Sequence, residues 1–389
     1  MQLIPYFQPI VDISTARVAG HEALARMVDH QGVVRSAGQI FCDTTLDEQQ
    51  VLAFDRAVRL QALQRFAEAG QPGFLTVNIQ PRWIDILADE WVPTVAMMEL
   101  YDIAPHKVII EIVEAPSQSD RLESIVAHYK ALGMQVAVDD FGAGSSQFDR
   151  VVKLAPDIIK LDMRLFKEAV HGGFPQHIVQ SLSFLAERMG SQLLCEGVED
   201  YSELRFALEI GSKLVQGFMF SQAMPTFVNE GCFGQDIAIQ RKRFLLEGIR
   251  KEEMAVTSSQ RINEQIQRLA DALEEKALPE QTDLALLDQT MIASLFICDI
   301  GGTQLSPTYR QQSGEWYADQ DQLGTNWCWR PYFYQLLSSA ETMKRQSITS
   351  RQYHDAFTGE LVKTAARFIG GGRVLMVDIR ARDQFLALY

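Results

Sequence analysis

Polar side chains recur at or near the ends of apolar segments in the first half of the chain. Seven of eight such segments carry a carboxylate, an amide or an ammonium group there. Charged groups are seldom buried without partners, so a repeat of this kind is hard to explain as seven independent accidents. We therefore predict that these side chains share one site. They are Glu22, Asn78, Glu111, Asp139, Asp140, Lys160, Glu196 and Gln216.

The residue types of this set restrict the chemistry. Carboxylate and amide oxygens, with no His or Cys among them, suit hard cations such as Mg²⁺ or Mn²⁺. The adjacent Asp139 and Asp140 could serve two ions about 3.5–4 Å apart, an arrangement that stabilises in-line displacement at phosphorus. Lys160 suits a lytic water or a developing phosphate charge. The set predicts a two-metal phosphodiesterase.

Each residue also has a simpler interpretation. A single Glu within a strand is most often an edge or surface residue, and Asp-Asp before Phe-Gly is a common strand-ending turn. Lys160 could extend its ammonium group to solvent, and Gln216 could bond to the next strand. The repetition across successive segments is what favours a shared site.

The apolar segments alternate with longer amphipathic stretches, a pattern typical of a parallel sheet covered by helices. Only residues 14–17 separate the first two segments, so we expect an antiparallel hairpin there. Eight strands predict an α/β fold, a (β/α)8 TIM-like barrel with an antiparallel first strand, whose strand ends face one mouth. A doubly wound open sheet is the alternative. The predicted strands span residues 6–13, 18–27, 74–79, 108–113, 135–140, 157–161, 193–198 and 214–220.

Bulk properties exclude some functions. A net charge of -14 argues against binding long nucleic acid through a basic face, but not against a small anionic ligand that binds through cations. No run of about 18 apolar residues occurs, so we expect no membrane span. The five cysteines are scattered, without metal-binding spacing, and predict reduced thiols and a cytoplasmic location.

The remaining chain changes character twice. We predict a barrel domain over residues 1–235, a connecting helix over 236–280 and a small α+β domain over 281–389. The charged helical segment carries apolar residues at helical spacing, Ile239, Phe244, Leu245 and Ile249 among them. It is either a solvated helix or one that transmits state or pairs two subunits. The last segment predicts strand, Gly-Gly turn, strand, a helix over 332–342 and further antiparallel strands.

The N-terminal segments resemble EAL-domain phosphodiesterases. The motifs QPIVD, HEALAR, VNI, IEIVE, VDDFGAG, IIKLD, CEGVED and QGFMFSQAMP occur in the family's order over roughly residues 3–225. The resemblance implies hydrolysis of cyclic di-GMP to linear pGpG with two Mg²⁺ or Mn²⁺ ions, and a homodimer. We expect Ca²⁺ to inhibit, because it occupies such oxygen sites but its looser coordination fails to position the water.

The resemblance also implies roles for individual residues. The implied catalytic residues are Glu22, Lys160 and Glu196. Lys160 would hold or activate the water, and Glu196 would act as a general base or orient the attacking hydroxide. Gln8 and Arg26 resemble residues that contact the dinucleotide, and Glu114 resembles a glutamate that holds the loop after Asp139–Asp140. The implied metal ligands are Glu22, Asn78, Glu111, Asp139, Asp140 and Gln216.

The sequence departs from the family in that loop. The family usually has Thr-Gly-Tyr-Ser-Ser-Leu after DDFG, whereas this chain has Ala-Gly-Ser-Ser-Gln-Phe at 143–148. The loop couples dimerisation to metal and substrate binding in the family. A receptor that binds cyclic di-GMP without cleaving it, and signals through the connecting helix, is therefore the alternative to an active enzyme.

The C-terminal segment resembles PAS- or Cache-like sensory modules, in particular the domain attached to some cytosolic EAL proteins. The resemblance lies in FICDIGGTQLSPTY followed by NWCWRPYF. It predicts that this domain regulates the enzyme through a small-molecule ligand. The candidate lining residues, which could equally be core aromatics, are Trp327, Trp329, Arg330, Tyr332 and Phe333.

Overall fold

The protein is described from a computed structural model that covers residues 2–43, 45–80, 93–112, 120–142, 151, 153–288, 290–312, 314–340, 348–355 and 357–381. The chain divides into two compact units between Leu246 and Glu247. No helix within these ranges is both long and apolar enough to cross a membrane.

The first unit contains a closed ring of eight strands. The nine described strands of this unit, eight of them in the ring, are β1 (Gln2–Asp12), β2 (Arg17–Val28), β3 (Val34–Ser36), β4 (Phe74–Ile79), β5 (Val108–Ile112), β6 (Gln135–Phe141), β7 (Ile158–Leu161), β8 (Gln192–Cys195) and β9 (Leu214–Val215). The ring runs β1-β2-β4-β5-β6-β7-β8-β9 and returns to β1, and β3 pairs only with β2. Because β1 is antiparallel to both neighbours and the other ring pairs are parallel, the predicted barrel with an antiparallel first strand is confirmed.

Helices cover the outside of this ring. They are α1 (Gly38–Cys42), α2 (Glu48–Glu68), α3 (Pro93–Leu100), α4 (Asp120–Ala131), α5 (Met163–Val170), α6 (Gly173–Met189) and α7 (Tyr201–Glu209), with a 3-10 turn at Pro105–Lys107. Apolar residues of strands and helices, such as Val77, Val136, Leu63 and Phe166, pack together in one large buried cluster. Burial of this apolar surface is the main force that holds the helices on the sheet.

Several predicted elements of the barrel are wrong in extent; the strand predicted over 193–198, for example, is β8 and ends at Cys195. The sequence predicts one helix over 164–188, but the chain forms α5 and α6, which are separated at Gly172 and Gly173 with φ of +90° and +72°. These left-handed backbone angles end a helix and are readily adopted by glycine. The strand predicted over 214–220 stops at Val215, and the chain then turns so that Gly217 lies against the backbone of Val198. A Cβ at Gly217 would lie 2.0 Å from the Val198 carbonyl oxygen, so a side chain is excluded there.

The long helix α8 (Gly234–Leu273) starts in the first unit and ends in the second. The second unit also has α9 (Gln281–Leu284), α10 (Pro331–Ala340) and the strands β10 (Ile292–Asp299), β11 (Thr308–Gln312), β12 (Glu315–Asp319), β13 (Ile348–Thr349), β14 (Tyr353–His354), β15 (Leu361–Ile369) and β16 (Arg373–Arg380). The strands form an antiparallel sheet in the order β12-β11-β10-β16-β15-β13, with β14 also on β15. The predicted small α+β domain is confirmed.

The two faces of this sheet have different partners. One face packs Leu295 and Val377 against Ile266 and Leu269 of α8. The other face packs Phe296 and Met376 against Tyr332 and Phe333 of α10. The strand expected directly after the Gly-Gly turn is delayed, because only a single bridge joins Cys298 to Gln304 and β11 begins after Pro307, which has no N–H for a ladder bond.

Candidate active site

The site begins as a layer of side chains inside the barrel. Buried apolar residues from several strands form a cluster that includes Ile109, Ile158 and Leu194. Two residues further along each strand, on the same face, lie Glu111, Lys160 and Glu196. The same spacing links Ala137 to Asp139 and Leu214 to Gln216, and in the antiparallel β1 it runs backwards from Ile10 to Gln8. The polar side chains therefore form a layer directly above the apolar layer, two residues closer to the mouth of the barrel along each of these strands.

Lys160 lies at the centre of this layer and is 2% exposed. Its Nζ contacts Glu111, lies 2.7 Å from Glu196 Oε1 and 3.0 Å from Asp139 Oδ1, and lies 3.6 Å from Glu22 Oε2. One ammonium thus contacts four carboxylates that are all at least largely buried. Lys160 does not extend to solvent, so that alternative interpretation is wrong.

Amide groups complete the ring on either side of Glu22. Gln216 Nε2 donates to Glu22 Oε2 at 2.6 Å and to Gln8 Oε1 at 3.2 Å. Asn78 Nδ2 donates to Glu22 Oε1 at 3.4 Å. Gln8 is paired with Glu22 across the β1–β2 ladder and also donates to the Ser221 carbonyl oxygen at 3.2 Å. These contacts fix the Glu22 carboxylate between two amides.

The adjacent aspartates reach one place because the backbone breaks the strand alternation. Neighbouring residues of a regular strand point to opposite faces. Asp140 has φ of +52°, and the pairing of β6 with β7 shifts between Val138 and Phe141. Carboxylate oxygens of Asp139, Asp140 and Glu196 consequently lie within 4.8 Å of one another. A backbone held in this sparsely populated region is a feature found at functional sites.

The charges in this layer perturb one another's protonation. Burial, together with the nearby Glu22, raises the pKa of the Glu111 carboxyl well above its ordinary value. Burial likewise raises the pKa of Glu196 to about 8, against the opposing effect of Lys160. Burial alone would lower the pKa of the Lys160 ammonium, but the surrounding carboxylates outweigh it, and the pKa lies above its usual range. Lys160 therefore stays charged, and its single ammonium is too little positive charge for the carboxylates around it.

The residues fit divalent cations on two observations. When all five carboxylates are ionised, they and the one ammonium carry four negative charges in total, the number that two divalent cations would balance. Glu111 Oε2 and Gln216 Oε1 are buried oxygens without a hydrogen-bond partner among the described residues. A buried oxygen that lacks a donor is costly unless a cation or water binds it.

The layer forms the floor of a cavity of about 890 Å³. Gln8, Glu22 and Gln216 line it, as do Met163 and Phe218, which the sequence analysis did not single out. Arg26 instead lines a second cavity of about 290 Å³, which shares Glu22, Leu24 and Asp139 with the first. The Arg26 guanidinium donates to the Ala25 carbonyl oxygen at 3.1 Å and lies 6.0 Å from the Tyr6 ring centre. The structure thus places Gln8 and Arg26 in adjoining cavities.

A buried ion pair beneath the site escaped the sequence analysis. Arg59 on α2 contacts Asp55, donates to Thr94 Oγ1 at 3.2 Å and reaches the Asn78 carbonyl oxygen at 3.4 Å. It therefore supports the end of β4, which carries Asn78. The available signal was an Asp and an Arg four residues apart on the buried face of a helix, where charges need partners.

Two predictions lie outside the described residues. They concern Glu114 and the loop 143–148.

The five candidate ligand residues of the C-terminal unit have different environments. Tyr332 and Phe333 are core residues, Trp327 donates to Gln304 Oε1 at 3.0 Å, and Trp329 is exposed. Arg330 stacks between the rings of Trp329 and Tyr353 at 4.4 and 5.0 Å.

Comparison with known proteins decides the family. Residues 1–223, more than half of the chain, match the EAL domain. The chain belongs to the EAL domain family. Residues 227–386 match an EAL-domain associated signalling protein domain. The EAL-domain containing protein YkuI of Bacillus subtilis is 27% identical over 386 residues, which cover 97% of this chain and 94% of YkuI. The cyclic di-GMP phosphodiesterase RocR of Pseudomonas aeruginosa is 29% identical over 229 residues, 57% of each chain.

Solved EAL structures agree with this assignment. The crystal structure of YkuI in complex with cyclic di-GMP and calcium has a TM-score of 0.85 at 25% identity and covers 99% of this chain and 97% of that one. Klebsiella pneumoniae BlrP1 in a manganese and cyclic di-GMP complex has a TM-score of 0.52 at 27% identity, with 58% and 56% covered. Both neighbours hold the same dinucleotide with a divalent cation.

Proposed function

We propose that this EAL protein hydrolyses cyclic di-GMP to linear pGpG with two Mg²⁺ or Mn²⁺ ions. The observation that carries the proposal is the ring of largely buried carboxylates around Lys160, which has more negative charge than the described residues neutralise. EAL relatives named as cyclic di-GMP phosphodiesterases and neighbours that hold this dinucleotide support the choice of substrate.

We assign the cations to the oxygen ligands of the polar layer. Asp139 would bind one ion, and Asp140 would help to bind the second. The other proposed ligands are Glu22, Asn78, Glu111 and Gln216. When bound, the two ions would lower the pKa of a water molecule and neutralise the phosphate oxygens on both sides of an in-line displacement.

The protein groups then act on the water and the phosphate. A Glu196 oxygen, which lies within 4.8 Å of the Asp139 and Asp140 carboxylate oxygens, accepts the proton as the water oxygen bonds to phosphorus. Lys160 Nζ, 2.7 Å from Glu196 Oε1, holds the base in place and faces the developing negative charge. The bond from phosphorus to the 3′ oxygen breaks, and that oxygen takes up a proton from solvent, which leaves a 5′-phosphate on pGpG.

Gln8 and Arg26 are the proposed contacts to the dinucleotide. Gln8 lines the main cavity beside Glu22, where its amide is held by Gln216 and Ser221. Arg26 offers a guanidinium fork from the adjoining cavity, a group suited to a phosphate. We propose that Ca²⁺ binds the site without supporting turnover, because its looser coordination fails to position the water.

Product chromatography with cyclic di-GMP tests the proposal. We expect Mn²⁺- or Mg²⁺-dependent pGpG from the full chain, none from Glu22→Ala, and an unchanged rate from Glu230→Ala, a matched change in an exposed ion pair with Arg17. An unaffected rate in Glu22→Ala would sink the assignment.

A receptor is the second candidate, and the altered loop 143–148 favours it. Tight cyclic di-GMP binding in Ca²⁺ with no product in Mn²⁺ would establish the receptor and exclude the enzyme. Multiple turnovers at low protein concentration would exclude the receptor.

We further propose that the C-terminal domain (281–389) regulates the barrel domain (1–235) through the connecting segment 236–280, in a homodimer in the cytoplasm. Ile239, Leu245 and Ile249 of α8 are about half exposed, which supports pairing with a second copy. Sedimentation of the full chain and of Leu245→Glu tests the dimer. A monomer for the unaltered chain would refute it.

A further inference from the structure

Polar side chains lie side by side on one face of the C-terminal sheet. Ser294 on β10 is paired with Arg310 on β11 and with Asp378 on β16, and Asp378 is paired with Thr364 on β15. Ser294, Arg310 and Asp378 line a cavity of about 220 Å³. Its lining includes Arg310, Tyr317, Asp355, Thr358 and Asp378 but none of the five aromatic and basic residues proposed from the sequence.

The Asp378 carboxylate is 6% exposed and has only hydroxyl partners. Ser294 Oγ donates to Oδ2 at 2.5 Å, Thr364 Oγ1 donates to Oδ1 at 2.8 Å, and the Tyr353 hydroxyl lies 3.4 Å from Oδ1. Within the described ranges no cationic group forms an ion pair with it. Burial raises its pKa, as expected for a carboxylate without a counter-ion. A second carboxylate of the lining, Asp355, is bonded to neighbouring N–H and hydroxyl groups of its own loop.

Arg310 is one of two arginines that line the same cavity; the other, Arg380, forms an ion pair with Glu360 at 3.1 Å. Arg310 Nε donates to Asp319 at 3.2 Å and the Arg310 guanidinium lies 5.8 Å from the Phe357 ring centre. Its side chain is only 12% exposed, yet neither terminal amino group has a hydrogen-bond acceptor among the described residues. Arg310 is therefore partly satisfied and presents unused donors.

Arg310 and Asp378 form no ion pair with each other among the described residues, although the Arg310 charge partly opposes burial, which raises the pKa of Asp378. Strands β11 and β16 flank β10 on opposite sides, so their backbones lie about 10 Å apart. A ligand that bridges them needs a donor cation at Asp378 and an acceptor anion at Arg310. A divalent metal ion fits less well, because it prefers several anionic oxygens and the hydroxyl groups already direct their hydrogens at Asp378.

We propose that this cavity binds a small zwitterion, with its ammonium group against Asp378 and its carboxylate against Arg310, the class of the free amino acids. A volume of about 220 Å³ is below the roughly 300–1,000 Å³ of cavities for drug-sized ligands, which suits a molecule of this size. The site is separate from the barrel chemistry and does not depend on it.

Calorimetric titration of the full chain with each of the twenty common amino acids, one at a time, tests the proposal. We expect saturable binding of at least one of them. Its amide, which lacks the carboxylate, and its deaminated acid, which lacks the ammonium, should each bind at least tenfold more weakly. Asp378→Asn and Arg310→Gln should each weaken binding of the amino acid at least tenfold. Asp321→Asn, the same chemical change at an exposed residue outside the lining, should leave binding unchanged.

Absence of binding by all twenty would overturn the proposal and leave a cavity that holds water. Binding that survives in both Arg310→Gln and Asp378→Asn would place the ligand elsewhere and overturn it as well. Equal affinity for the amino acid and its amide would overturn the zwitterion. Arg310→Gln keeps the test decisive if Asp378→Asn fails to fold, because Arg310 lies on β11, outside the buried hydroxyl cluster.

Discussion

At the barrel mouth one ammonium group, on Lys160, contacts four carboxylates, whereas on the C-terminal sheet one carboxylate, on Asp378, accepts hydrogen bonds from hydroxyl groups. The first arrangement has an excess of negative charge and buried oxygens without donors. The second has one buried carboxylate whose oxygens already accept hydrogen bonds from hydroxyl groups. The difference is consistent with the two proposals, divalent cations at the barrel site and a ligand of low net charge at the sheet site.

Glu111→Gln tests the barrel side of this comparison and has the largest expected effect. The isosteric amide keeps the volume of a fully buried side chain but removes a metal ligand. We expect turnover to fall on the order of 10³-fold, since several kcal/mol of charge stabilisation are lost. Because a crowded buried negative charge is also removed, the metal-free protein should not lose stability. The measurements are pGpG formation and urea unfolding, with Glu230→Gln as the matched control. Full activity in Glu111→Gln would remove it from the ligand set.

Lys160→Met removes the ammonium group from the four carboxylates. Loss of one partner from a buried ion pair typically costs about 3–5 kcal/mol, so we expect the free energy of unfolding to fall by this amount without metal. Added Mn²⁺ should recover part of the loss, because the cations supply the missing charge. Hydrogen exchange of the β7 and β8 amides measures both values, and Lys213→Met, at a half-exposed lysine, is the control. A loss independent of Mn²⁺ would show that the carboxylates do not bind it.

Asp378→Asn should have the smallest effect on the free energy of unfolding, and the effect should depend on pH. The folded pKa of Asp378 is raised by burial above the ordinary 3.8, so the folded state holds the proton more tightly than the unfolded state. The stability that this carboxyl contributes is present below pH 3.8 and is lost as the pH rises through the folded value. The unaltered protein should therefore lose stability relative to Asp378→Asn as the pH rises from 4 to 7. Hydrogen exchange of the β16 amides, corrected for intrinsic rates, measures this, and a constant difference would contradict it.

The barrel site could be predicted because its residues follow a rule within single segments. For β5 to β9, the site residue at the mouth comes two positions after a buried apolar residue, so one strand at a time reveals the pattern. The left-handed backbone at Asp140 could not be predicted, since nothing in the Asp-Asp pair specifies it. The split between α5 and α6 was visible as Gly172–Gly173, but the amphipathic pattern on both sides concealed it.

The C-terminal cluster could not be predicted for a different reason. Ser294, Thr364 and Asp378 come together through pairings between strands, and the register of those pairings cannot be predicted from the sequence of one strand. Each of these residues, taken alone, is an ordinary polar residue in an apolar strand.

The antiparallel first strand also has a consequence for how the protein is made. Strand β1 closes the barrel by pairing with β9, through Val11 with Val215 and Asp12 with Leu214. A ribosome that adds about 5–20 residues per second needs some 10–40 s to reach β9 after β1 has emerged. During that interval the hairpin of β1 and β2 waits with one open edge, and such edges invite pairing with other chains. The nascent chain is therefore most prone to aggregation in the interval before β9 has been synthesised and pairs with β1.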